Sequence, residues 1–367
     1  MKGRAVSALG ALAVLALSAC GSPSGSASSS ASSTPFKAAW IYVGSKSDAG
    51  WTKAHDDGRL YVVNTLGSQV QTTYKENVPE GPQVTQVIEQ LVRDGNKIIF
   101  ATSFGYQDAM DAEAKLHPDV KFEQATGFKT EPNLAEYYGA GEDADYLTGM
   151  ALGAASKTGH IGFVAPFPIP EVIREINAVT LGAQAMHPGA TVQIVWTNTW
   201  FDPTKEKQAA QSLIQAGVDA IGQGQDSPAT GDAAKAAGVK WSGYDSDQQQ
   251  FAPDVWLTGT VYHWGPYYLK RVQAAINGTW KTGSYYGNFS DGFVDIAPFG
   301  TSVPQSVRDA INQKKDALKA GTFYEFTGPI KDQSGQVKVP AGQKLTLQDI
   351  LTIDWFVQGV IGNPKGS

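Results

Sequence analysis

Residues 38 to 74 read AAWIYV, GSKSDAGW, TKAHDDGRLYVVNTL, GSQ and VQTTY in succession. The first block, Ala38 to Val43, is a short apolar run rich in aromatic and β-branched residues, the pattern of a buried strand. Thr52 to Leu66 is longer and amphipathic, and Val70 to Tyr74 returns to strand chemistry. A strand, a helix-length segment and a second strand in one short span describe a parallel pair joined by a crossover helix.

The alternation continues outward from this unit. Val84 to Asp94 reads as the next helix, and further strand candidates are Lys97 to Ala101, Val120 to Ala125, His160 to Val164, Thr191 to Trp196, Val218 to Ile221, Val239 to Ser242 and Trp256 to Val261. Asp202-Pro203 and Ser227-Pro228 each place a capping residue ahead of a proline suited to the first helical position. Two doubly wound α/β lobes with parallel sheets account for this order, and an eightfold β/α barrel shares the local pattern. In either fold ligands sit where loops leave the C-terminal ends of the strands, and here those loops carry aromatics and carboxylates.

Ahead of this body stand Lys2 and Arg4, an apolar run from Ala5 to Leu17, and Leu17-Ser18-Ala19-Cys20. The run is too short to span a bilayer, and its end resembles a bacterial lipobox. Residues 1–19 are therefore expected to be a signal peptide and Cys20 an acylated N-terminus that anchors the chain to the cell membrane. Residues 20–35 are almost all Ser, Ala, Gly and Pro, a flexible tether with a reach of about 20 Å.

Composition narrows the chemistry. The net charge is −6 and no Lys/Arg run tracks a phosphate backbone, so nucleic acid is not an expected partner. Cys20 is the sole cysteine, which leaves the body without a disulfide, a thiolate metal cluster or a thiol nucleophile. There is no HExxH, GxSxG or EF-hand loop, and the 5 histidines lack metal spacing. No cofactor or metal is expected. Gly153-Ala154-Ala155-Ser156-Lys157-Thr158 lacks the glycine before the lysine of a phosphate loop and closes a helical pattern instead of opening one. Asp245 and Asp247 read either as a paired acid and base or as acceptors for hydroxyl or amino groups.

Four strand-end segments stand together: Ser47-Asp48-Ala49-Gly50-Trp51, Thr102-Ser103-Phe104-Gly105-Tyr106, Thr199-Trp200-Phe201-Asp202-Pro203 and Gly243-Tyr244-Asp245-Ser246-Asp247. With Asn77-Val78-Pro79-Glu80-Gly81, Phe122 to Gly127 and Phe326 to Ile330, they make the chain resemble the basic membrane protein family of binding lipoproteins from Ala38 to about Gly362. The resemblance implies a type I periplasmic-binding-protein fold, with two lobes, a hinge of three crossing segments and a ligand clamped between the lobes. On that basis lobe 1 is expected at 36–139 plus about 263–298, and lobe 2 at 140–262 plus about 299–367. Members of the family deliver purine nucleosides or nucleobases to importers, so a permease, its ATPase and a small purine are the implied partners of a monomeric binding protein.

The same resemblance assigns Trp200 as an aromatic that stacks on the base and Asp245 as a carboxylate facing the ligand. Trp51 and Phe104 read either as the opposite aromatic wall or as lobe core. Asp226 points into the cleft or helps to cap the following helix. Asp48 and Asp247 touch ligand or satisfy backbone N–H groups in their own turns. Where nucleoside-binding relatives carry a ligand-contacting lysine, this chain reads Thr258-Gly259-Thr260-Val261-Tyr262-His263-Trp264, with Tyr262 in its place. Loss of that cation favours a smaller flat ligand, a free base such as adenine. A secreted nucleoside hydrolase using Asp245 and Asp247, and a ligand sensor that reports to a membrane receptor, are the competing readings.

Overall fold

The computed structural model describes residues 34–366; the expected signal peptide, Cys20 and most of the tether lie outside them. The chain runs through β1 (Phe36–Ile41), α1 (Trp51–Leu66), β2 (Val70–Lys75), α2 (Pro82–Arg93), β3 (Ile98–Ala101), α3 (Gln107–Leu116), β4 (Lys121–Ala125) and β5 (Leu134–Gly139). It continues with α4 (Gly141–Ala155), β6 (His160–Ala165), α5 (Pro170–Met186), β7 (Thr191–Trp196), α6 (Pro203–Gln215), β8 (Ala220–Gln223), α7 (Ala229–Ala237), β9 (Lys240–Gly243) and β10 (Trp256–Tyr262). The last part holds α8 (Trp264–Ile276), β11 (Ser284–Gly287), β12 (Val294–Ile296), α9 (Gln305–Lys319), the hairpin of β13 (Ile330–Lys331) and β14 (Val337–Val339), α10 (Leu347–Leu351) and β15 (Val360–Ile361).

Two main sheets result. The first has the order β11-β5-β4-β3-β1-β2 and the second β12-β10-β9-β8-β6-β7-β15. All neighbours pair in parallel except β12, which runs antiparallel to β10. The barrel alternative is thereby excluded: each sheet is open and covered by helices on its faces. Parallel strands covered on both faces need unbroken apolar sequence, and Ile98-Ile99-Phe100-Ala101 is buried at every position. The covering helices show a stripe instead. In α2 the buried residues are Val84, Ile88 and Leu91, one face at helical spacing, and Pro82 opens the helix where its missing N–H costs nothing.

The chain crosses between the lobes after β5, after β10, and between β11 and β12. At the crossings Gly139 and Gly287 lie side by side in the β5–β11 register, and Phe293 packs over both. A Cβ on Gly139 would stand 2.6 Å from the Phe293 ring and one on Gly287 2.4 Å from it, so only glycine lets this aromatic plug the hinge. Val294–Ile296 already pairs with the second sheet, through Thr260 opposite Ile296, so the last crossing falls earlier than the expected boundary near 298.

Helix α4 is buried almost all round because it lies against both the second sheet and α5. Gly149 and Gly153 allow that approach: a Cβ on either would come within 2.4 Å of the α5 carbonyls of Val179 or Ala183. The segment with a faint phosphate-loop spelling is thus the end of a packed helix, and the backbone N–H groups of Lys157 and Thr158 are taken by the Asp219 carboxylate.

Candidate functional site: a carboxylate-lined slot between the lobes

Loops at the C-terminal ends of the strands face each other across the cleft. From the first lobe come Val43, Trp51, Ser103, Phe104 and Thr126; from the second come Glu171, Glu175, Trp200, Asp226, Tyr244 and Asp245, among others. Together they wall a nearly closed slot of about 20 Å³ between the lobes.

Each aromatic wall is fixed from behind. Trp51 opens α1, and its indole Nε1 donates to the Thr102 carbonyl at 2.6 Å. Its ring meets His55 and Trp264 edge-on, at 4.4 and 5.4 Å between centroids. Trp51 therefore belongs both to the slot and to the lobe core. Phe104 is half-buried beside Phe128. Trp200 sits in the loop between β7 and α6, packed against Phe167 at 5.0 Å. That loop is held at its end by Asp202, whose carboxylate accepts the N–H groups of Thr204 and Lys205, and by Glu206, which accepts the Asp202 N–H. This is the expected cap, with Pro203 at the first helical position. The Trp200 Nε1 itself is shielded from water and has no hydrogen-bond acceptor among the described residues.

The carboxylates are the unusual part. Asp245 is 1% exposed, adopts a left-handed φ of 65°, and neither of its carboxyl oxygens has a partner among the described residues. Asp226 is 2% exposed, and its Oδ2 is likewise unpartnered. The side chain that assists the start of α7 is that of Ser227, which accepts the Ala229 N–H, so the cleft-facing reading of Asp226 is the one the contacts fit. Burial pushes the pKa of both aspartates well up, with the nearby Asp48 adding to the effect on Asp226 and Asp226 adding to that on Asp245. No basic side chain lines the slot.

Two further acids, Glu171 and Glu175, were not singled out from the sequence. They lie one turn apart on α5, directly after the strand β6 and its Pro166-Phe167-Pro168-Ile169-Pro170 connection. Glu171 accepts the Tyr138 hydroxyl at 2.9 Å, and Glu175 accepts the Tyr244 hydroxyl at 2.7 Å. Both pKa values are raised, chiefly by burial. Acids at i and i+4 in the opening turns of a helix that follows a strand end were the available signal.

Three other sequence candidates fall outside the slot walls. Asp48 is fully committed to its own turn: its carboxylate accepts the N–H groups of Gly50, Thr52 and Lys53 at 2.8 to 3.0 Å, which caps α1. Asp247 is exposed and accepts the Gln249 N–H. Tyr262 stands one layer back, its ring stacked on Trp264 at 5.1 Å and edge-on to Trp51, with its hydroxyl 3.0 Å from that of Tyr138. It supports the wall from behind. Asp245 also borders the slot whereas Asp247 does not, although both line a separate open cavity beside Trp264, and no group of His, Cys, Asp and Glu among the described residues is arranged to hold a metal ion.

The lobes also touch directly beside the slot. The Ala49 carbonyl of the first lobe accepts Ser246 Oγ at 2.5 Å and Gln248 Nε2 at 3.1 Å from the second. Next to it, Gly50 lies so close to the Asp226 backbone that a Cβ would be 2.4 Å from the Asp226 carbonyl oxygen.

Residues 36–333 match the family described as ABC transporter substrate-binding protein PnrA-like, Bmp. The chain is 43% identical over 325 residues to purine-binding protein BAB2_0673 of Brucella abortus, covering 89% of this chain and 93% of that one. It is 38% identical over 281 residues to the putative ABC transporter glucose-binding protein TsgA13 of Haloferax volcanii, covering 77% and 71%. Among solved structures, a solute-binding protein of an ABC transporter system from Aeropyrum pernix superposes with a TM-score of 0.70 at 16% identity, over 81% of this chain and 93% of its own, which supports the fold alone. The chain belongs to the Bmp family, the PnrA-like substrate-binding proteins of ABC transporters.

Proposed function

We propose that this substrate-binding protein holds a purine-type ligand in the slot, a free nucleobase such as adenine in preference to a nucleoside, and presents it to a membrane permease driven by its ATPase. The observation that carries the reading is the Asp245 carboxylate: both oxygens are buried and unpartnered beside the half-buried Trp200 ring. Burying a carboxyl without donors is costly, and a ligand that brings N–H groups removes that cost. A purine base offers such N–H groups along its edge and two faces for Trp200 and the first-lobe aromatics to stack on. The acidic lining, without a basic side chain, disfavours ligands that present mainly acceptors or negative charge.

The preference for base over nucleoside rests on Tyr262. The tyrosine stands where nucleoside-binding relatives carry a lysine and backs the wall instead of offering a donor to ribose. A sugar also brings hydroxyl donors and stacks on tryptophan, and TsgA13 is named for glucose. A pyranose ring lacks the flat aromatic face that a purine would lay on Trp200 and the first-lobe aromatics, which places it second. Binding proceeds by lobe closure about the three crossings, with no bond made or broken. The chain acts outside the cytoplasm as a monomer, secreted through residues 1–19 and anchored by acylated Cys20.

The test is calorimetric titration of the tether-free protein, stripped of carried ligand by unfolding and refolding, with adenine, guanine, adenosine, guanosine, inosine and glucose. Tight binding of a free base with weak nucleoside and glucose binding is the expected result. Tight nucleoside binding would keep the importer reading and remove the argument from Tyr262. Binding of glucose alone would remove the purine.

A further inference from the structure

A second and larger cavity, of about 600 Å³, opens beside the slot and shares Phe104, Thr126 and Glu171 with it. Its inner wall is aromatic, built from Tyr138, Tyr285 and Tyr286 near the hinge; its outer wall is α10, through Leu347 and Leu351. Helix α10 packs on α5 of the second lobe, so the cavity, like the slot, lies between the lobes.

The polar groups around it are largely occupied. Arg174 is 3.2 Å from Glu142, the Tyr286 hydroxyl donates to the same carboxylate, and Tyr138 donates to Glu171. What remains is mainly apolar surface, interrupted by Ser284, Gln348 and Thr352 and by the unpartnered and shielded Oε2 of Glu136. At the mouth stand two large apolar side chains from opposite lobes, Phe128 at 66% exposure and Leu347 at 46%. A volume of this size exceeds what the slot needs for solvent access and matches the range of small-molecule chambers.

We propose that this cavity receives an apolar or aromatic arm attached to the heterocycle held in the slot, so that the protein accepts substituted purines as well as the bare base. The inference rests on the purine reading of the slot. The shared walls make the arm part of the same ligand, because a ring held between Trp200 and the first-lobe aromatics has Phe104 and Thr126 as its border with the larger space.

The experiment titrates the tether-free protein with adenine, N6-benzyladenine and 9-benzyladenine, which carry the same arm at two places on the ring. At least one benzyl derivative is expected to bind as tightly as adenine or tighter. Leu347→Asp and Leu351→Asp, both on α10 and outside the slot walls, are expected to weaken that derivative by about tenfold, the scale of losing part of an apolar contact surface, with adenine binding unchanged as the control for folding. If adenine binds and both derivatives bind more weakly, the second cavity does not take an arm and the proposal falls while the purine reading stands. If a derivative binds but neither variant affects it, the arm lies elsewhere and the proposal also falls. If neither adenine nor any derivative binds, both readings fall together.

Discussion

Asp48 and Asp245 each lie in a loop after a parallel strand, β1 in the first lobe and β9 in the second, and each is 1% exposed. Their surroundings differ completely. Asp48 accepts three backbone N–H groups and closes the start of α1, whereas Asp245 has no partner for either oxygen among the described residues. Residue type and burial are the same; the donors within reach decide which carboxylate builds the fold and which is left for a ligand.

The largest expected effect breaks the ligand side of this contrast. Asp245→Asn keeps the shape and tolerates the left-handed φ of 65°, but replaces one of the two carboxyl oxygens with an amide donor. Purine affinity should fall by about 2–4 kcal/mol in calorimetry, while the thermal midpoint should hold or rise because an unpaired buried carboxyl is removed.

Gly50→Ala tests whether the first-lobe loop acts by closing on the second. The added Cβ meets the Asp226 backbone, so the lobes should be held slightly apart and affinity should fall by about 1–3 kcal/mol. Small-angle scattering in the presence of ligand should show a more open particle than the parent. Unchanged affinity and shape would mean that the contact between Ala49 and Ser246 is incidental to closure.

Asp48→Ala sharpens the fold side. Loss of the cap should lower unfolding free energy by about 1–2 kcal/mol in denaturant titration. Its effect on ligand affinity should be much smaller than that of Asp245→Asn. The reverse pattern would exchange the roles assigned to the two aspartates.

The smallest effect concerns pH. Burial and the nearby Glu142 raise the Asp143 pKa to about 7, and burial raises that of Asp145 to about 8. In the unfolded chain an aspartate titrates near about 3.9, so between these values the folded protein holds protons that the unfolded chain has released. Their contribution to stability is fully present below the unfolded value and is lost as pH rises through about 7 to 8. The ligand-free thermal midpoint should therefore decline from about pH 5 to about pH 8.

Much of the fold was legible because it follows from local pattern. Thr191–Trp196 matches its expected bounds, and most other expected strands and helices lie within two residues of those observed. Strand β5, Leu134–Gly139, was missed because Glu136 breaks the apolar run and glycines stand at its last residue and two residues beyond, Gly139 and Gly141; β11 and β12 are short and contribute edges. In the site, Trp200, Asp245, Asp226, Trp51 and Phe104 converge on one slot, which strand-end position predicts. Tyr262 was placed too far forward because sequence registers which residue replaces a lysine but not that Trp51 stands between it and the cleft. Glu171 and Glu175 escaped notice because two glutamates with Arg174 between them read as a solvated stripe on an otherwise apolar helix, and only the packing of α5 turns that stripe inward.

The most direct test of the account is the crystal structure of the protein with the free base that binds most tightly. The account predicts the ring stacked on Trp200 within the slot, with N–H groups of its edge donating to Asp245 and Asp226. A base bound outside the slot, or bound with both Asp245 oxygens still unpartnered, would contradict it.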